Sequence, residues 1–235
     1  LKLSSESLER LELRAVRQYR SSRLSSPTGI GTPILSLQGL CCKRGKHTIL
    51  ENLNLAAWAG QIIAITGCNG AGKTTLAKIV AGLERPSKGS IFLHGLKIGP
   101  MQRRKSCWYS SNDTGTQFFT NSVTEELLLG VSRTEERLEK ARNLLKRFGL
   151  YPYKDAHPAV LSGGQKQRLS IACGLLSGRE VLLFDEPTSG LDGGNMRKIA
   201  SALAEAAAGG KTILVITHDE ELIQACCDFR WELIG

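Results

Sequence analysis

Residues 67–74 read Gly67-Cys68-Asn69-Gly70-Ala71-Gly72-Lys73-Thr74. The stretch fits the phosphate-binding pattern G-x-x-x-x-G-K-[ST]. It follows a short apolar run at 61–66 and opens a helical pattern over 73–81. That placement suits the chemistry. Glycines let successive backbone N–H groups turn inward around phosphate oxygens. The helix start behind them adds roughly half a positive charge. Lys73 is expected to reach the β and γ phosphates of a nucleotide. The Thr74 hydroxyl is expected to bind Mg²⁺, with Thr75 adding a phosphate contact.

Working outward, strands and helices alternate. Strand patterns lie at 34–40, 49–56, 61–66, 90–94, 181–185 and 212–217. Helical periodicity runs over 73–81, over 124–148 with a break near 130–132, over 164–176, over 196–208 and from Asp219. Alternation of this kind predicts parallel pairing with helices packed on the sheet. The fold class is therefore α/β: a P-loop NTPase core with a parallel sheet, an antiparallel β subdomain from the early strands, and an α-helical subdomain over about 108–176.

Three further segments carry chemistry. Val181-Leu182-Leu183-Phe184-Asp185-Glu186 is an apolar strand ending in two acids. Asp185 is expected to hold Mg²⁺ and Glu186 to polarise an attacking water. Acids at strand ends are usually solvated turn residues, but following a phosphate loop the catalytic reading prevails. His218 follows the strand pattern at 212–217, so three strands carry a polar device at the carboxyl end, where open parallel sheets bind ligands. His218 is placed to donate to a γ-phosphate. Leu161-Ser162-Gly163-Gly164-Gln165-Lys166-Gln167-Arg168 opens a helix that Ser162 caps. Its glycines expose a second set of N–H groups to an anion. One nucleotide needs one phosphate loop, so the simplest use of the second is to clamp an ATP held by another subunit.

LSGGQKQR resembles the signature of ATP-binding cassette proteins, and the order GCNGAGKTT, LSGGQKQR, VLLFDEPTSGLD, VITHD is that of the family. The resemblance covers about 34–235. It implies a Mg·ATP-hydrolysing domain that pairs head to tail with a second one. Each ATP then lies between Lys73 and its loop on one side and Ser162, Gly163, Gly164 and Gln165 on the other. Ser189-Gly190-Leu191-Asp192 matches the D-loop, which places Asp192 near that interface. TQFFTNSVTEELLLG, at 116–130, is similar to the segment after the Q-loop of energy-coupling-factor importers of vitamins and metal ions. That similarity implies a second ATPase domain, as a homodimer, heterodimer or tandem half, and integral membrane transporter subunits. It places the domain on the cytoplasmic face of the membrane.

Two positions depart from the family pattern. Asn112 stands where the Q-loop glutamine is expected. Its amide is one methylene shorter, and either reaches Mg²⁺ through water or weakens coordination. Arg44 stands about where an aromatic stacks on adenine; a guanidinium plane can also stack. The other classes considered are a non-transport ABC ATPase and a regulatory cassette that only binds ATP.

Composition fits this reading. The 235 residues are 41% hydrophobic and 23% charged, ordinary for a globular chain, and no apolar run approaches the roughly 18 residues of a membrane span. The net charge is +9, but aromatic content of 6% lacks the stacking residues of a nucleic-acid binder, so no nucleic acid is expected. Seven cysteines without CxxC spacing argue for thiols rather than zinc. Residues 1–33 differ from the rest: Leu8, Leu11, Ala15 and Tyr19 recur at helical spacing, then 21–33 reads as a Ser/Pro/Gly linker. With Leu rather than Met first, 1–33 is expected to be the end of an upstream region.

Overall fold

The computed structural model describes residues 31–113 and 118–233. The amphipathic helix expected near Leu8–Tyr19, most of the linker, and Gln117 lie outside the described residues.

Among the described residues, nine strands form two sheets. Strands β1 (Leu35–Arg44), β2 (His47–Ala57), β4 (Lys88–Leu93) and β5 (Leu96–Lys97) make an antiparallel sheet in the order β2-β1-β4-β5. Strands β3 (Ile62–Thr66), β6 (Cys107–Ser110), β7 (Val181–Asp185), β8 (Thr212–Ile216) and β9 (Phe229–Glu232) make a wholly parallel sheet in the order β6-β7-β8-β3-β9. The helices are α1 (Lys73–Val80), α2 (Pro100–Ser106), α3 (Val123–Leu127), α4 (Glu135–Arg147), α5 (Gly163–Leu176), α6 (Gly193–Ala208) and α7 (Glu220–Cys226).

The parallel sheet is buried on both faces, and its alternating side chains feed two cores. Ile62, Leu182, Phe184, Ile213 and Val215 join α5, α6 and the helical lobe. Ile63, Ile65, Leu183, Leu214 and Ile216 join α1 and the inner face of the antiparallel sheet. The carboxyl ends of β3, β7 and β8 therefore open side by side, with β8 between the other two. Among the described residues, no helix is long and apolar enough to cross a membrane.

Within the described residues, the expected elements stand at their expected places, with shifts of a few residues at the ends. The helical stretch at 124–148 is two helices, α3 and α4, and the strand read to Thr217 ends at Ile216. Strand β6 occupies 107–110, so the first residues of the range read as a helical subdomain belong to the parallel sheet. Sequence reading left β5, α2, β6 and β9 unassigned. All are short, and α2 is mostly polar (PMQRRKS).

The helical lobe is anchored by a buried acid. Glu126 in α3 is 6% exposed, and its Oε2 accepts from the N–H groups of Phe119 and Thr120 and from the Thr120 hydroxyl, each at 2.9 Å. Replacing it with Ala strands those donors, which costs about 1–3 kcal/mol. Urea unfolding of Glu126→Ala is expected to show a loss in that range; an unchanged midpoint contradicts the anchoring role.

Candidate active site

The loop after β3 is shaped by steric limits. Gly67 has φ 136°, and a Cβ there would stand 2.3 Å from the Leu233 carbonyl oxygen. Gly72, the N-cap of α1, has φ 91°, and its Cβ would stand 2.7 Å from Leu50 Cδ2. A side chain at Gly67 would run into the Leu233 backbone and one at Gly72 into Leu50 and Ile49, so the loop takes this path only with glycine at both. Lys73 is buried and donates to the carbonyls of Gly67 at 2.6 Å and Cys68 at 2.9 Å. Its ammonium thus folds back over its own loop.

A cleft of about 410 Å³ opens above this loop. It brings together Asn69, Gly70, Gly72, Lys73, Thr74 and Thr75 from the loop and α1, Asp185 and Glu186 from the end of β7, and His218 after β8. Arg44 and Asn112 also line it. Gly67 and Cys68 stand behind, holding Lys73 through their carbonyls, and Ala71 is buried.

The acids are held differently. Asp185 is buried, and its Oδ2 accepts from the Thr74 hydroxyl at 2.8 Å and from the Tyr109 phenol at 3.2 Å. Burial, and next the Asp185 charge, push the Tyr109 phenol far up, so it stays a donor. Thr74 and Asp185 put a hydroxyl and a carboxylate oxygen at one point. Hard oxygen donors in small number, leaving positions for water and phosphate, suit Mg²⁺.

Glu186 has φ 50°, a left-handed conformation that disfavours any side chain. Strain of this kind, about 1–3 kcal/mol, collects at functional sites. Its N–H donates to the Ile216 carbonyl at 2.8 Å, and the Thr217 hydroxyl donates to its Oε2 at 3.4 Å. His218 Nε2 lies 3.9 Å from Glu186 Oε1. Burial pushes the Glu186 carboxyl above its ordinary value, and nearby His218 pulls it partly back. Higher proton affinity makes it a better base for water.

The second glycine-opened helix stands apart. Ser162 accepts from the Gln165 N–H at 3.4 Å, and Gln165 Oε1 accepts from the Ser162 N–H at 2.8 Å, a reciprocal cap on α5. None of Ser162, Gly163, Gly164, Gln165 and Asp192 lines the cleft with Lys73. Asp192 instead caps α6, accepting from the Asn195 N–H at 2.7 Å, and that bond holds its carboxyl below the usual range. Leu191 packs so close that a Cβ on Gly164 would lie 2.9 Å from its Cδ2. The D-loop and the head of α5 are thus one packed unit. Ser189, Gly190 and Leu191 also share a second cleft with Glu186 and His218.

Sequence reading missed two contributors. Gln167, buried on α5, donates to the Glu186 carbonyl at 3.3 Å. Tyr109 reaches Asp185 from 76 positions away, and no local pattern announces either contact. Sequence reading also did not supply a partner for Arg44, whose Nη2 donates to both Glu84 oxygens at 2.9 and 3.1 Å.

The raised Glu186 carboxyl carries a stability consequence. A folded state that holds a proton more tightly than the unfolded one loses stability as pH rises from the ordinary glutamate value, about 4.3, through the folded value. Without nucleotide, Glu186→Gln is expected to raise Tm at about pH 7 and to leave it unchanged at about pH 4. A lower Tm at neutral pH contradicts the burial penalty.

Comparison with known proteins agrees with this geometry. Residues 50–189 match the family model described as ABC transporter. A putative ABC transporter ATP-binding protein of Treponema denticola is 39% identical over 197 residues, 84% of this chain and 40% of that protein. The putative HMP/thiamine import ATP-binding protein YkoD of Bacillus subtilis is 36% identical over 201 residues, 84% of this chain and 37% of that protein. The chain thus spans about two fifths of the length of these relatives. The solved structure of cbiO1 from Clostridium perfringens, described as part of the ABC transporter complex cbiONQ, superposes with a TM-score of 0.74 at 32% identity, covering 86% of this chain and 85% of that one. The family match extends over more than half of the chain, and on that ground this chain belongs to the ABC transporter ATP-binding family, as one of its ATPase domains.

Proposed function

We propose that this chain binds Mg·ATP in the cleft above α1, closes on a second ATPase domain, and by hydrolysis energises an importer of vitamins or metal ions. The observation that carries the reading is the convergence of Lys73, Thr74, Asp185, Glu186 and His218 on one cleft at the carboxyl ends of parallel strands.

Phosphate oxygens exchange with the Gly67 and Cys68 carbonyls as acceptors for Lys73, and the loop N–H groups close around them. Thr74 and Asp185 would hold Mg²⁺, with Asn112, which lines the same cleft, contributing through water. When bound, the ion would supply positive charge to offset that of the nucleotide phosphates. The Arg44 guanidinium, held at the cleft wall by Glu84, offers a flat face to adenine. Glu186 orients water for in-line attack, and His218 donates to the γ-phosphate. Ser162 and the Gly163 and Gly164 amides complete the site of the partner domain, because in their own chain they stand away from the cleft. Gln165 stays within the cap of α5, and Asp192 brings the D-loop to the interface. Loss of the γ-phosphate releases that grip and opens the pair. Positioning and charge stabilisation supply most of the catalysis.

The importer reading draws support from the relative whose name states HMP/thiamine import and from the likeness to cbiO1. On this reading the domain sits on the cytoplasmic face, held by integral membrane subunits, and its partner is a second copy, a homologue or a fused half.

Glu186→Gln is expected to lower ATP turnover by about 10²-fold or more while ATP-dependent pairs accumulate on size exclusion. Full turnover by the variant contradicts the assignment. Wild-type protein that never pairs with ATP contradicts the shared site.

A further inference from the structure

The third residue of β6 places a phenol on the metal-binding carboxylate. Tyr109 donates to Asp185 Oδ2 at 3.2 Å, the same atom that accepts from Thr74 at 2.8 Å. The Ser111 side chain lies beside the phenol and counters part of its upward shift, as a donor to the phenol oxygen does. The Asp113 N–H then donates to Ser111 Oγ at 3.2 Å. Hydrogen bonds therefore run from the head of α1 through Asp185 to Tyr109, and the Ser111 side chain beside the phenol is itself bonded to the residue on the far side of Asn112. Asn112 itself lines the nucleotide cleft.

We propose that Tyr109 is a positioning residue for the Asp185 carboxylate and that, through Ser111, it ties the orientation of Asp185 to the segment carrying Asn112. Two donors from different elements, converging on one carboxylate oxygen, restrain its rotation. A restrained carboxylate presents its lone pairs to a metal at a fixed angle, and partners of this kind typically matter ~10–100-fold in metal affinity. The coupling runs both ways. Displacing residues 111–113 pulls on the phenol and hence on Asp185, and a metal drawing on Asp185 pulls on the loop. Thr74 reads the phosphate side of the same oxygen, so nucleotide, metal and loop share one small network. The amide of Asn112 is short, and the network reaches the residues on either side of it, Ser111 and Asp113.

The proposal rests on the Mg·ATP reading above, and binding measurements separate the two. ATP dissociation constants are measured with Mg²⁺ and with EDTA for the full chain, Tyr109→Phe and Ser111→Ala. Tyr109→Phe removes one oxygen and keeps the ring that fills the site. It is expected to lose about tenfold of the gain that Mg²⁺ gives to ATP binding, with affinity in EDTA within about twofold of wild type. Ser111→Ala keeps the Tyr109–Asp185 bond and is expected to lose a smaller part. Mn²⁺ binding alongside ATP, followed by electron paramagnetic resonance, is expected to weaken in the same order. Tyr109→Phe that keeps the full Mg²⁺ gain overturns the proposal, as does an equal loss with and without metal. Wild-type protein that binds no ATP in either condition overturns the nucleotide reading, and the proposal with it.

Discussion

The Asp185 Oδ2 atom accepts from two hydroxyls, that of Thr74 at the head of α1 and that of Tyr109 in β6. These bonds join the phosphate loop, the acid-bearing strand and the sheet edge at a single buried point. The two donors offset part of the cost of burying that carboxylate. The loop on the other side is equally constrained. With the Leu233 carbonyl so close to Gly67, only a residue without a Cβ lets the chain leave β3 in this direction. Everything later in the site depends on that exit: the inward N–H groups, the place of Lys73, and the reach of Thr74 to Asp185.

The two cores make this point rigid. Alternate residues of β3, β7 and β8 bury toward the helical lobe and toward α1, so neither face of the sheet can shift without disturbing packed side chains. Polar devices at the strand ends therefore sit on a fixed frame. The signature helix is linked to it through Gln167 and the Glu186 carbonyl, and the D-loop through Thr188, whose hydroxyl donates to Asp219 at 2.6 Å. Asp219 in turn caps α7, directly after His218. Events at the γ-phosphate thus have short, hydrogen-bonded routes to the surfaces a second domain would touch.

Much of this was legible in the sequence because the decisive segments are contiguous. The loop at 67–74, the acids ending 181–186 and the cap at 162–165 each carry their chemistry within a few residues. Glycine positions, an apolar run and a capping pair are local signals, and the strand and helix bearing them followed. What was not legible depends on contacts between distant residues. Strand β6 is four residues long and, among the described residues, pairs with β7 alone, so Tyr109 gains meaning once CWYS is laid against VLLFD. The sequence offers the plane of the Arg44 guanidinium, while its pairing with Glu84, 40 positions on, depends on the fold. The raised Glu186 carboxyl likewise comes from burial, which its sequence neighbours do not disclose.

In this site phosphate, more than base, supplies the grip on nucleotide. Isothermal titration with Mg·ATP and with adenosine tests that directly. Two charge-assisted hydrogen bonds of about 1.5–3 kcal/mol each correspond to an affinity difference of about 10²-fold or more. ATP is expected to bind at least that much more tightly than adenosine. Equal affinity for the two would contradict the phosphate cradle and the mechanism built on it.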